Sequence, residues 1–291
     1  MKQITILGGS GFLGSHLADE MTKRKFKVKI FDTQKSQFLK KNQKMFIGDI
    51  NNTKDLIKCI KGSSYVFNFA AIADIDIAKT KPILTSRINI EGTINALLIC
   101  KKLKVKKFIQ ASSIYANSVE GGFYSISKRS AEDYIVEFNE IYKLNYTILR
   151  FGSLYGERSD PNNGIRKLID YAQKKGKLIY RGGKLASRKY IHIKDASTLC
   201  LEAIKKKYNN KCLNITGKKN TRVIDLINFF SQQFDIKKDK IKFLNEKKTG
   251  HYNTEPTKIR RKDGINLYIK KERNLKESLL ELIMESKNKK I

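Results

Sequence analysis

The stretch Lys2-Gln3-Ile4-Thr5-Ile6-Leu7-Gly8-Gly9-Ser10-Gly11-Phe12-Leu13-Gly14 decides the fold. Its first half is a short apolar run that predicts a strand over Lys2–Leu7, and its second half spaces glycines at 8, 11 and 14. Glycine at such positions permits a tight turn and brings backbone close to a diphosphate, which the free N–H groups of a following helix attract. A glycine-rich loop alone says little. This one lies between a predicted strand and a helix predicted over Phe12–Arg24, which is the context that gives it meaning. Gly8, Gly11, Phe12, Leu13 and Gly14 are therefore candidate dinucleotide-binding residues.

Working outward, apolar runs bounded by Gly, Asn and Asp continue at Lys27–Phe31, Lys44–Ile47, Tyr65–Phe69, Lys106–Gln110 and Tyr146–Arg150. Helix-period segments fall between them at Thr53–Ile60, Ile83–Lys101 and Tyr124–Tyr142. That alternation predicts an α/β fold, a Rossmann-type doubly wound parallel sheet over residues 1–152. Past it the rhythm breaks into shorter pieces, with loops at Ser159–Gly164 and Arg181–Ser187. Residues 153–291 are expected to form a smaller substrate-binding region, interleaved with late strands of the main sheet, and the polar Ser286–Lys290 to fray.

Asp32 closes the second predicted strand, eighteen residues beyond Gly14. A carboxylate there accepts hydrogen bonds from adenosine ribose hydroxyls and repels a 2′-phosphate, which favours NAD over NADP. Asp49 and Ile50 follow the third strand, and Ala70 and Ala71 the fourth, where small residues let backbone approach the cofactor.

Composition bounds the alternatives. The 291 residues are 40% hydrophobic and 30% charged, as in ordinary water-soluble domains. No basic-then-apolar leader opens the chain and no apolar run is long enough to cross a bilayer, so a cytoplasmic protein without a membrane partner is expected. Cys59, Cys100, Cys200 and Cys212 have no paired spacing, which predicts reduced, buried thiols and no metal framework. The net charge of +32 would suit nucleic acid, but the lysines are spread along the whole chain, which disfavours that partner. A positive field that draws anionic cofactor and substrate inward is the simpler consequence.

The chemistry points to Ala111-Ser112-Ser113 after the fifth strand and to Tyr124-Ser125-Ile126-Ser127-Lys128 beyond it. Tyrosine and lysine four apart on a helix share a face. An ammonium charge, aided by an oxidised nicotinamide, would lower the phenol's pKa and let it act as general base at an alcohol. The same spacing recurs at Tyr171, Tyr180 and Tyr190, but of the four only Tyr124 follows a serine-ended strand of the nucleotide-binding half.

The glycine spacing, Asp32, Gly48-Asp49-Ile50, Asn89-x-x-Gly92-Thr93, the serine pair and Tyr124/Lys128 together resemble the extended short-chain dehydrogenase/reductase family. Within it the chain looks most like the NAD-dependent epimerase/dehydratase group that acts on nucleotide sugars. The resemblance implies that Ser113 binds the reacting oxygen, with Ser112 the alternative if the register shifts by one. Tyr124 would be the acid/base, and Lys128 would tune it and bind the nicotinamide ribose. Asn89 would lie near the nicotinamide, and Phe151 and Ser153 would reach cofactor and substrate. Asn163 and Arg188 match positions that hold a nucleotide diphosphate, a task suited to the planar guanidinium fork. His192 reads as structural. Family members usually dimerise through the helices matched here to Ile83–Lys101 and Tyr124–Tyr142, so a homodimer is implied.

Two features depart from the family pattern. Ala116-Asn117-Ser118 stands where many members have Val-Tyr-Gly, and the loop from Ser113 to Tyr124 is short. Sugar dehydratases of the family carry an Asp-Glu pair directly after the active-site Ser/Thr, whereas this chain has Ile114-Tyr115. Epimerisation of a nucleotide sugar through a transient ketone is therefore the expected reaction. A net NAD(P)-dependent reductase or dehydrogenase, and a non-catalytic NAD-binding scaffold, are the alternatives.

Overall fold

Side-chain alternation along the first strands sorts two hydrophobic layers onto opposite faces of one sheet. In the computed structural model, which describes residues 2–244, 250–258 and 263–288, Ile4 and Ile6 of β1 (Gln3–Leu7) enter one layer and Leu7 the other. Val28 and Ile30 part from Phe31 in the same way on β2 (Lys27–Asp32). After β3 (Gln43–Ile47), the pattern returns as Phe67 against Val66 on β4 (Tyr65–Asn68) and Ile109 against Phe108 on β5 (Lys107–Ser113). On β6 (Tyr146–Phe151) it is Leu149 against Ile148. A sheet buried on both faces needs this two-sided apolar supply, and each fully buried Phe or Ile contributes about 1.5–3 kcal/mol.

One layer is closed by α1 (Phe12–Lys23), through Leu17 and Met21, and by α8 (Ile193–Cys200), through Ala196 and Leu199. The other is closed by α2 (Thr53–Ile60), α5 (Gly92–Lys102) and α6 (Gly122–Tyr142), with Leu56, Leu97, Ile135 and Phe138. The helix expected over Ile83–Lys101 forms as one run, Pro82 to Lys102, with a π turn inside it. After α3 (Ile75–Thr80), capped by Asp74, come α4 (Pro82–Ser86) and a π turn over Arg87–Glu91 that leads into α5. Single π turns inside helices tend to mark functional sites.

Beyond β6 the chain makes β7 (Ser153–Tyr155), α7 (Gly164–Lys175), β8 (Leu178–Arg181), β9 (Ser187–Arg188) and β10 (Tyr190–His192). After α8 follow β11 (Lys211–Ile215), β12 (Thr221–Arg222), α9 (Val223–Gln233), β13 (Ile241–Leu244), β14 (Ile265–Asn266) and α10 (Leu275–Asn288). Helices α7, α9 and α10 share a third apolar cluster containing Leu168, Ile169, Leu226, Phe230, Leu279 and Ile283. Short pairings tie the region together: β7 with β10, β8 with β13, and β9 with β12. Two strands return to the main sheet, whose order is β14-β11-β6-β5-β4-β1-β2-β3, parallel throughout. The stretch expected to fray stays helical to Asn288, and residues 289 and 290 lie outside the described residues.

The strand order reverses between β1 and β4, and ligands of such sheets bind in the crevice outside the carboxyl ends at that point. Strand β5 runs three residues further than its sequence suggested. Ser112 and Ser113 pair with Arg150 and Phe151, so both serines sit on that carboxyl edge. Among the described residues, Cys59, Cys100 and Cys200 are buried, Cys212 is half-buried and all four are free. No described helix is long and apolar enough to cross a membrane.

Candidate active site

The turn after β1 is shaped by close backbone approach. Gly8 has φ +75, and its N–H and that of Gly9 both donate to the Phe31 carbonyl, at 2.8 and 3.3 Å. A Cβ on Gly8 would stand 2.5 Å from the Ala70 nitrogen, and one on Gly14 would stand 2.2 Å from the Gly8 oxygen. These glycines let the ends of β1 and β4 and the start of α1 meet at the switch point, leaving a cradle that side chains would fill. Gly11, exposed, is the N-cap of α1 and makes no side-chain cap hydrogen bond; Phe12 and Leu13 open the helix. Asp32 accepts the Ser10 N–H at 3.0 Å, which fixes its carboxylate beside this loop at the end of β2. Asp49 is exposed and accepts the Asn51 N–H at 2.8 Å, while Ile50 is buried against Gly92 of α5. The cradle, the carboxylate and the small residues Ala70 and Ala71 fit an adenine dinucleotide.

Asn89 is spent on the protein itself. Its Oδ1 accepts the Ile72 N–H at 2.8 Å, and its Nδ2 donates to the Ile72 carbonyl at 3.0 Å and to Ser127 Oγ at 2.9 Å. It braces the Ala70–Ile72 loop against the π turn and α6. Phe151 is buried at the end of β6, edge-on to Phe69 with centroids 6.3 Å apart.

The chemical groups converge where α6 crosses the end of β5. Tyr124 is buried, and Ser113 is the side chain that acts on its hydroxyl. Lys128, one turn on, donates Nζ to the Ala111 carbonyl at 3.1 Å and lies 5.9 Å from the Tyr124 ring centroid. Burial brings the ammonium down to about 8, with Glu132 pulling it back up. Burial also raises the Tyr124 phenol, and Ser113 works against that. In this dry setting desolvation of the phenolate outweighs the lowering expected from the lysine, which leaves the cationic ring of an oxidised nicotinamide as the influence able to lower it. Ser112 points to the other face of the strand, where its hydroxyl donates to Glu132 at 2.5 Å. The structure therefore gathers Ser113, and not Ser112, at Tyr124.

Of the remaining sequence candidates, Ser153 lies on β7, half-buried, near Tyr252. Asn163 is the N-cap of α7: its Oδ1 accepts from Ile165 and Arg166, and its Nδ2 donates to the Leu154 carbonyl at 2.9 Å. Arg188 is buried, its guanidinium 4.2 Å from the Tyr252 ring centroid, and Nη1 donates to the Ser187 and Asn253 carbonyls. His192 caps α8 by accepting the Lys194 N–H at 3.2 Å.

Sequence reasoning missed the segment that covers this end. Residues 250–258 are stitched to the short loop after Ser113: Gly121 N–H donates to the Gly250 carbonyl at 2.8 Å and Val119 N–H to that of Thr257 at 3.0 Å. Tyr115 hydroxyl and His251 Nδ1 are 2.9 Å apart, and the Tyr115 ring packs against Tyr124 and Tyr252. A remote chain segment thus fills the space that the trimmed loop leaves. Gly250-His251-Tyr252-Asn253 lies far downstream of every motif, and only its run of chemistry-bearing residues could have drawn notice.

The comparisons with known proteins agree with this geometry. Residues 4–216 match the model of the NAD dependent epimerase/dehydratase family. A putative UDP-glucose 4-epimerase of Methanocaldococcus jannaschii is 30% identical over 265 residues, which cover 84% of this chain and 84% of that protein. Among solved structures, UDP-glucose 4-epimerase of Thermotoga maritima with UDP-glucose superposes with a TM-score of 0.86 at 24% identity, covering 99% of this chain and 100% of that one. UDP-N-acetylglucosamine 4-epimerase of Methanobrevibacter ruminantium, in complex with UDP-N-acetylmuramic acid, gives 0.85 at 25% identity, with 99% of each chain covered. A parallel sheet with a glycine cradle at its switch point, a matched family model and a relative alike over most of both chains make this chain a member of the NAD dependent epimerase/dehydratase family.

Proposed function

We propose that the protein binds NAD and epimerises a nucleotide sugar at a ring carbon through a transient ketone. The observation that carries this reading is the assembly of Ser113, Tyr124 and Lys128 on the same carboxyl edge as the Gly8–Gly14 cradle. The glycine loop and the N-terminus of α1 would hold the pyrophosphate, and Asp32 the adenosine ribose. When bound, NAD supplies a hydride acceptor that later returns the hydride. Ser113 positions the sugar hydroxyl, Tyr124 takes its proton as the ketone forms and gives it back afterwards, and Lys128 keeps positive charge next to the phenol. Arg188 suits the diphosphate, being buried without a carboxylate partner among the described residues. Ile114 and Tyr115 after Ser113 bring no carboxylate, which supports epimerisation over loss of water.

The test is to incubate the purified protein with a panel of UDP- and dTDP-sugars and follow the anomeric protons by NMR. Conversion of one sugar into its epimer, without steady gain in reduced-nicotinamide absorbance, is expected. Bound NAD with no conversion would overturn the reading, and steady NADH formation would replace it with a dehydrogenase.

We also infer that the working unit is a homodimer in the cytoplasm. Its support is the run of exposed apolar side chains on adjacent helices: Ile83 and Leu84 of α4, Leu98 of α5, and Phe123, Ile126, Tyr134 and Ile141 of α6. Patches of this kind on a soluble protein mark association surfaces. Light scattering should give twice the chain mass, and Leu98→Lys with Ile126→Lys should halve it; a wild-type monomer contradicts the inference.

A further inference from the structure

The buried face of α6 carries a third ionisable group beyond the tyrosine and lysine. Tyr124, Lys128 and Glu132 stand at successive intervals of four and are 8, 4 and 2% exposed. Each engages one of three consecutive residues at the end of β5. Tyr124 meets the Ser113 hydroxyl, Lys128 the Ala111 carbonyl and Glu132 the Ser112 hydroxyl. Glu132 also takes Arg150 in a fork, from Nε at 3.0 Å and from Nη2 at 2.6 Å. Arg150 is the residue of β6 that pairs in register with Ser112. One carboxylate therefore ties α6, β5 and β6 together one helical turn beyond the lysine.

Deep burial of an ion pair is a costly way to fasten a helix, since well-packed apolar residues do it as well or better. The placement suggests a use for the charge. Lys128 is an ammonium in a dry setting, and the titratable groups around it and the pair are few among the described residues: Tyr124 on α6, Tyr146 and Arg150 on β6, Cys212 on β11, and Asp263 near the guanidinium. Glu132 is the charged group that acts on Lys128, and it favours the ammonium. Arg150, the neighbouring cation, is neutralised by the same carboxylate instead of repelling the lysine.

We propose that Glu132 is a positioning residue of the reaction, keeping positive charge on Lys128 next to the Tyr124 phenol. The proposal rests on the Tyr124/Lys128 reading above. Glu132 acts through the lysine, and Arg150 and Ser112 keep it aimed.

The two halves of the pair predict opposite effects. Glu132→Gln leaves Arg150 uncompensated, so Lys128 gives up its proton at lower pH and the phenol titrates higher. Arg150→Gln leaves the carboxylate unopposed, so Lys128 stays charged longer and the phenol titrates lower. The readout is the phenolate absorbance band of the NAD-bound protein against pH, with the Tyr124→Phe titration subtracted. The chain has no tryptophan to obscure it. A displacement of about one pH unit is expected for each variant, in opposite directions, the ordinary reach of a neighbouring charge. In turnover, Glu132→Gln should move the high-pH limb of kcat down by a similar amount, while Glu132→Asp, which keeps the charge, should leave it near wild type. If the phenol titrates as in wild type in both variants, or moves the same way in both, the proposal is overturned. Should Glu132→Gln give no cooperative melt, an unmoved titration in Arg150→Gln overturns it alone. The absorbance titration needs no sugar, so a wild type that converts no nucleotide sugar would fail the epimerase reading without obscuring this result.

Discussion

Replacing Gly14 by alanine tests the cofactor cradle at its tightest point. Gly14 lies in the first turn of α1, where alanine should by propensity stabilise the helix by up to about 1 kcal/mol. The structure sets a larger cost against this gain. The new Cβ would lie 2.2 Å from the Gly8 carbonyl oxygen and 2.7 Å from the Gly9 Cα, both backbone atoms with no rotamer to turn away. That is about 1 Å inside even a close C–H···O contact of about 3.3 Å, so the loop must move away from the helix. Overpacking of this kind costs about 1–3 kcal/mol, leaving stability unchanged or lower by up to about 2 kcal/mol. Affinity should suffer more. Displacing the loop by about 1 Å misaligns one or two N–H groups aimed at pyrophosphate, each worth about 1.5–3 kcal/mol to a charged acceptor. With a factor of ten for each 1.4 kcal/mol, NAD should bind at least tenfold more weakly. Isothermal calorimetry gives the affinity and a thermal melt the stability. Gly164→Ala, whose Cβ meets nothing within 4 Å in the first turn of α7, is the control and should leave NAD affinity unchanged and stability equal or higher by up to about 1 kcal/mol. Wild-type NAD affinity in Gly14→Ala would refute the assignment of this loop.

Asp32→Ala should lower NAD affinity and narrow the preference over NADP by about tenfold, since the repulsion of a 2′-phosphate goes with the carboxylate; competition binding with both cofactors measures it, and an unchanged preference contradicts the role. His192 supplies a pH dependence of stability. Burial, opposed by Glu157, holds its pKa at about 4 against an ordinary 6.5, so the unfolded chain binds a proton between those values that the folded chain refuses. Stability should fall as pH drops through that window, by up to about 3 kcal/mol from this residue. His192→Asn keeps an acceptor for the Lys194 N–H and should flatten the slope in denaturant melts; an equally steep slope would rule the histidine out.

The sheet was legible because periodicity reports directly on burial. Ile4, Ile6, Val28 and Ile30 must face an apolar layer wherever that layer is, so short-range pattern sufficed. The helix from Ile83 onward was legible too, but not the π turn inside it, which holds Asn89 in its bonds to Ile72, a contact between distant segments that no pattern carries. Tyr124 and Lys128 could be chosen from four equal spacings because their place after β5 was readable. The choice between Ser112 and Ser113 was not, since strand β5 runs on to include both, and only pleating shows that one faces Glu132 and the other Tyr124. The two cations expected to act on the phenol were readable, but the opposing effect of burial, on the phenol as well as on the amine, is not visible in a spacing. Glu132 had a signal that went unused, an acidic residue in register with Tyr124 and Lys128 on a helix face that has to be buried.

The most direct test of the central claim is turnover by Tyr124→Phe, which removes one oxygen and leaves the ring that packs against Tyr115. Measured on the nucleotide sugar that the wild type converts, with NAD affinity determined in parallel, kcat should fall by about 10²–10⁴, the usual contribution of a positioned acid/base. NAD binding should stay within a few-fold of wild type. A variant that epimerises the sugar at the wild-type rate would show that the proton moves through some other group.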